Sequence, residues 1–146
     1  MEKYAKGKLP DIRRTVEINS KVERVWQAVA TSEGLANWLM PNDFQPELGY
    51  EFTLKTQFGL VPCKVTELDP PKRLSFTWDD FGWQVTFELK EIGGKTEFTV
   101  IHSGWGEPDA IIPRVQQKQS VIRETLDIGW GHLTEGLRGK LEKDDE

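Results

Sequence analysis

The side chains in this sequence able to do acid–base, nucleophilic or metal chemistry are two histidines, one cysteine and scattered carboxylates. His102 is in phase with Phe98 and Val100, so it is expected to point inward near the mouth of any cavity. There an imidazole could donate to a ligand carbonyl or hydroxyl, or take a proton as a general base; a histidine satisfied by backbone is the plainer alternative. His132 follows Trp130 by two positions and leaves the apolar stripe, so it is expected in solvent. Cys63, in phase with Val61 and Val65, reads as a small buried hydrophobe, since no cationic neighbour is apparent to make its thiolate. These three are far apart in sequence and have no metal spacing, so neither metal nor cofactor is expected. Asp79 with Asp80, and Glu107 with Asp109, read as turn carboxylates. No strained serine elbow and no glycine-rich phosphate cradle occur. No catalytic residue is therefore assigned, and an enzyme would have His102 alone to rely on. Trp105, in the aperiodic stretch Ser103 to Arg114 with its two glycines and two prolines, is either a lid over a ligand or a prop against the long helix that follows.

These residues need elements to position them, and the dominant one is Ser120 to Leu141. Its apolar residues Ile122, Leu126, Trp130, Leu133, Leu137 and Leu141 recur at steps of three and four, which predicts an amphipathic helix. Gly129, Gly131, Gly136 and Gly139 each cost that helix about 1 kcal/mol against alanine. Its stability must come from packing, and glycines beside a tryptophan let another group come close. Met1 to Pro10 reads as a flexible arm and Glu142 to Glu146 as a frayed tail. Ile12 to Ile18 predicts a first or edge strand. Ser20 with Glu23 forms a capping box ahead of a helix over Lys21 to Ala30, and a second short helix spans Ser32 to Leu39. From Gly49 the period becomes two. Strands are expected from Tyr50, over Leu60 to Leu68, over Arg73 to Trp78, from Trp83 to Lys90 and from Thr96 to His102. Short turns at Gln57 to Gly59, Asp79 to Gly82 and Gly93–Gly94 make them an antiparallel meander.

The fold class is thus α+β, one domain over residues 1–146, with a curved antiparallel sheet of about six strands around the C-terminal helix. The sequence holds six tryptophans and seven phenylalanines. Phe52, Phe76, Trp78, Trp83, Phe87 and Phe98 fall on the inward face with Trp130 opposite. They are either plain core or the wall of a pocket. A sealed dry void of about 400 Å³ would cost roughly 10 kcal/mol, comparable with total stability. Any cavity must therefore be small, hydrated at a polar end, or occupied.

A formal charge of −5 without a basic cluster argues against nucleic acid. Lys3, Lys6, Lys8, Arg13 and Arg14 read as a solvated N-terminal arm. No run is long and apolar enough for a membrane span or a signal peptide, and one cysteine allows no intrachain disulfide, so a cytoplasmic location is expected; a monomer is expected alongside it.

Five stretches carry a family resemblance. They are V-x-x-V-W at Val22 to Trp26, G-L-A-N-W-L at Gly34 to Leu39, V-T-E-L-D-P-P-K-R-L-S-F-T-W at Val65 to Trp78, T-E-F-T-V-I-H-S-G-W at Thr96 to Trp105, and the Gly129–Trp130 pair of the last helix. Together they resemble the family named after the activator of the heat-shock protein 90 ATPase, within the START-like (SRPBCC, helix-grip) superfamily, over about Ile12 to Leu141. The resemblance implies a sheet gripping the C-terminal helix with a cavity between, a stand-alone bacterial-type member and a stress-response setting. The co-chaperones that name the family carry an additional N-terminal domain, and nothing of that kind is read ahead of Ile12. Superfamily relatives bind sterols, lipids, polyketides or flavonoid-like aromatics, and a minority are enzymes.

Three functions follow as expectations. The first is binding or carriage of a small hydrophobic, aromatic or lipid-like ligand, walled by Trp38, Phe52, Trp78, Trp83, Phe87, Trp130 and Leu133, with His102 as polar anchor and Trp105 at the mouth. The second is a module touching a chaperone ATPase. The third is an enzyme on a hydrophobic substrate with His102 as acid/base.

Overall fold

The strands follow from alternation and turn chemistry, and the sheet they build can be read from its pairing. The computed structural model describes residues 8–56, 59–79 and 82–144. In chain order the elements are β1 (Ile12–Ile18), α1 (Val22–Val29), α2 (Ser32–Trp38), β2 (Glu51–Thr56), β3 (Gly59–Asp69), β4 (Arg73–Trp78), β5 (Trp83–Ile92), β6 (Lys95–Ser103), β7 (Ile111–Ile112), β8 (Gln117–Lys118) and α3 (Gln119–Asp144). β1 to β6 form one antiparallel sheet in the order β1-β6-β5-β4-β3-β2, so β1 and β2 are its edges. The meander pairs each strand with the next, and β1 closes on β6 with Ile12 opposite His102 and Ile18 opposite Thr96. A register shift between Val65 and Glu67 in β3 marks a bulge, which bends the strand and helps the sheet curl around α3.

The inward alternation is borne out, with Phe52, Leu54, Val61, Cys63, Val65, Phe76, Trp78, Val85, Phe87, Phe98 and Val100 all buried. Val22, Val25, Trp26 and Val29 of α1, with Leu35 and Trp38 of α2, close one end of that core. Gly34 is required where the two short helices meet, because a Cβ there would stand 2.4 Å from the Ala28 carbonyl oxygen. Gly131 gives α3 a similar close approach to β1. An added Cβ would lie 3.3 Å from the Arg14 guanidinium carbon, and Arg14 Nε donates to Asp127 Oδ1 at 3.0 Å.

Four local expectations are corrected. Ser20 does not cap α1, which begins after Lys21 with no side-chain cap. The serine is instead buried in the corner between β1 and α1, where its carbonyl accepts from Thr96 Oγ1 at 2.9 Å. The side-chain cap belongs to α2, where Thr31 Oγ1 accepts from the Gly34 N–H at 3.0 Å. Of the N-terminal arm, residues 1–7 lie outside the described residues, but Leu9 is buried and its N–H donates to the Gly106 carbonyl at 2.9 Å. The tail is helical through Asp144, and Glu142 accepts from the Asn19 N–H at 2.9 Å; residues 145 and 146 are outside the description. The stretch after β6 is not a plain loop, because Ile111 pairs with Lys118 and Ile112 with Gln117 in a short ribbon, β7–β8. Residues 57–58 and 80–81, in two of the expected turns, are outside the description.

Candidate functional site

The apolar stripe of α3 meets two different surroundings. Leu137 and Leu141 are buried and Trp130 is buried at mid-helix, while Ile122, Leu126 and Leu133 are only partly covered. What they face is a hollow of about 430 Å³ between the N-terminal half of α3 and the adjoining ends of β2, β3, β4 and β5. Its walls are mainly apolar: Met40, Val61, Trp78, Trp83, Ile112, Val115, Ile122, Leu126, Trp130 and Leu133. Lys55, Thr56, Asp79, Arg114 and Thr125 supply its polar lining, and the exposure of Lys55, Arg114 and Thr125 shows that it opens to solvent.

Of the residues expected to wall a pocket, the structure brings Trp78, Trp83, Trp130 and Leu133 to this hollow. Trp38, Phe52 and Phe87 are placed elsewhere. Trp38 packs on Phe87 and Phe98 at centroid distances of 5.6 and 5.9 Å, and its indole donates to the Ala28 carbonyl at 2.9 Å. Phe52 lies between Phe44 and Phe76, at 5.1 and 5.4 Å, and Phe87 continues that ladder to Phe76 at 5.7 Å. These rings fill the core in edge-on and tilted pairs, each worth about 0.5–1.5 kcal/mol beyond area burial.

His102 and Trp105 are not at the mouth. His102 is fully buried, its Nδ1 accepting the Trp130 indole N–H at 3.0 Å and its ring stacked on Trp105 at 4.9 Å. Trp83 meets the same imidazole edge-on at 4.8 Å. The bond to Trp130 requires an unprotonated Nδ1. Burial, with a smaller contribution from the Arg123 cation, holds the imidazole down to about 3, so it is neutral at any ordinary pH. An imidazole so enclosed orients Trp130 and is not among the residues that line the hollow. Trp105 is buried as well, donating its indole N–H to the His102 carbonyl at 3.0 Å and packing on Trp83 at 4.5 Å. It is buried in the wall and does not lie over the opening, and the Gly106 N–H beside it donates to the Gln119 side chain at the start of α3.

His132 is exposed, and Cys63 is buried with its thiol pushed up to about 12, chiefly by desolvation. Among the described residues no group of three or more His, Cys, Asp or Glu is placed to hold a metal ion. None of their helices is long and apolar enough to cross a membrane.

The polar residue that the sequence concealed is Asp79. It ends β4 in left-handed backbone at φ 66, unusual outside glycine, with its N–H bonded to the Pro62 carbonyl at 2.9 Å. Its side chain is 4% exposed, and both carboxylate oxygens accept from Arg114, Oδ1 from Nη2 at 3.0 Å and Oδ2 from Nε. A two-toothed guanidinium–carboxylate pair therefore sits on the lining. Sequence offered a faint signal for Asp79, a turn position after an aromatic strand, and none for Arg114 or Ile112, which lie in the aperiodic segment.

A family model described as Activator of Hsp90 ATPase homolog 1-like protein matches residues 19–141. The chain belongs to that family. Within it, protein BH1534 of Bacillus halodurans, solved in solution, is 47% identical with a TM-score of 0.86, covering 92% of this chain and 99% of its own. Protein MLL2253 of Mesorhizobium loti is 27% identical with a TM-score of 0.73, covering 90% and 97%. The Aha1 of Colwellia psychrerythraea, described as a dimer, shares the fold at 20% identity and a TM-score of 0.77, covering 92% and 97%. Among curated proteins none matches. The helix-grip α+β fold of the family is thus the fold of this chain.

Proposed function

We propose that this family member binds or carries a small hydrophobic molecule, aromatic or lipid-like, in the hollow between the sheet and the N-terminal half of α3. The observation that carries the reading is the set of incompletely covered apolar side chains Ile122, Leu126 and Leu133 around about 430 Å³ of space. That volume lies within the roughly 300–1,000 Å³ of ordinary small-molecule sites. A sealed dry void that large would cost on the order of 10 kcal/mol, whereas an opening lined by Lys55, Asp79, Arg114 and Thr125 lets water enter. An apolar ligand that displaces this water removes apolar wall from solvent, and that is the driving force.

The residues assigned to the site are Trp78, Trp83, Trp130 and Leu133, joined by Ile122 and Leu126. The Asp79–Arg114 pair stands at the edge of the hollow and is not counted among the residues that hold the ligand. Three of the chain's tryptophans line this space, so occupancy is expected to change their fluorescence. Titration with flavonoids, sterols and fatty acids is expected to quench it saturably for at least one class. Ligand at a hundred times its Kd adds about 2.7 kcal/mol to stability. Flat fluorescence and an unmoved Tm across all three classes would refute the reading.

A further inference from the structure

The segment between β6 and α3 is firmly held at its feet. At one foot Trp105 is buried under His102, and the Gly106 N–H donates to the Gln119 side-chain oxygen at 3.2 Å. At the other, buried Gln119 donates its N–H to the Ala110 carbonyl at 2.8 Å. Between these feet stands the β7–β8 ribbon, two residue pairs long, with its turn passing through Gln116 at φ 56. A two-stranded ribbon of that size has little stability of its own. It nonetheless supplies Ile112 and Val115 to the wall of the hollow, and Arg114 reaches from it to Asp79 at the end of β4. The ion pair thus joins two sides of one opening. The Asp79 carboxylate is shielded from water while Arg114 is on it, so opening the ribbon would hydrate both the carboxylate and the hollow in one movement.

We propose that the β7–β8 ribbon is a gate over the hollow, that the Asp79–Arg114 pair is its latch, and that ligands enter and leave as this pair opens. The proposal rests on the reading of the hollow as a binding site. The fixed feet confine movement to residues 111–118, as expected of a short gate on a rigid frame. A latch of this kind sets rates more than affinity, because it slows entry and exit together.

The test uses Asp79→Asn, which suits left-handed backbone and removes only the charge, together with Arg114→Gln and the double variant. Stopped-flow fluorescence with the neutral probe N-phenyl-1-naphthylamine is expected to show association and dissociation both faster by about tenfold in either single variant, with Kd within about twofold. The double variant should be faster by less than the product of the two single effects, because both changes remove one shared contact. Probe rates unchanged in the variants, or a Kd change carried by dissociation alone, would overturn the gate. If the probe fails to bind the native protein, amide hydrogen exchange of the ligand-free protein decides the latch, and the panel of flavonoids, sterols and fatty acids decides the binding reading separately. Faster exchange confined to residues 111–118 in both single variants supports it; no change, or a uniform rise including β5 and β6, overturns it.

Discussion

The two halves of α3 carry one continuous stripe and do different work. In the C-terminal half Leu137 and Leu141 are buried, Lys140 donates to the Asn37 carbonyl, and Glu142 accepts from Asn19. That half is fastened to α2 and to the β1–α1 corner. In the N-terminal half Arg123 donates to the Pro10 and Asp11 carbonyls at 2.7 and 3.0 Å, and Arg14 to Asp127, all on the β1 side. On the other side Ile122 and Leu126, with Leu133 just past mid-helix, face the hollow. A leucine at helical spacing therefore has no fixed meaning. Its contribution to stability depends on whether the opposite wall is within van der Waals reach. His102 and Trp130 stand at the seam between the packed half and the open one.

The largest effect is expected at this seam. The folded-state pKa of His102 lies below its unfolded value, so between pH 6.5 and about 3 the unfolded chain binds the extra proton. Stability from this group is complete above pH 6.5 and is lost as pH falls, by about 1.4 kcal/mol per unit. His102→Asn keeps an acceptor for the Trp130 indole without titrating there. Urea unfolding from pH 7 to 4 should therefore show a shallower loss in the variant, and equal slopes would disprove this account of the seam.

Next in size is the contrast between the halves themselves. Leu137→Ala opens a cavity in packed core and is expected to cost about 2–5 kcal/mol, whereas Leu126→Ala enlarges an existing opening and should cost roughly 1 kcal/mol or less. Chemical denaturation that gave equal losses would mean the halves are packed alike. Leu126→Trp sharpens the same contrast from the other side. It fills the hollow, so hydrophobic probes should cease to bind while the fold remains within about 1 kcal/mol of native stability. Retained probe affinity would place the ligand elsewhere. The smallest effect is at the α1 corner. Ser20 is not a cap, so Ser20→Ala should change stability by less than about 0.5 kcal/mol, against about 1 kcal/mol for a working cap.

Much of the architecture could be read from periodicity. The six strands and three helices came from alternation and from the 3-4 spacing, since those patterns reflect which face is apolar, a property of single elements. Half of the candidate site was equally readable, because Trp78, Trp83, Trp130 and Leu133 lie on inward faces whichever way the elements close together. Trp38, Phe52 and Phe87 share that inward phase and yet fill core. Phase gives a side chain's direction but not the distance to what it faces. The capping box at Ser20 and Glu23 failed for a related reason. The helix begins one residue later, after Lys21, and the Ser20 side chain is buried in the corner where its carbonyl meets Thr96.

The sequence by itself determined the fold class, the family, the stripe on α3 and the neutral, inward character of the aromatic face, because each depends on residue order over short windows. Only the tertiary structure decided that one half of the stripe is packed and the other open. The same holds for His102 and Trp105 lying behind the wall, and for the joining of Asp79 to Arg114 across 35 positions of chain. Those outcomes depend on how far the sheet curls before it meets the helix, and curvature is a sum over all the strands that no single stretch encodes.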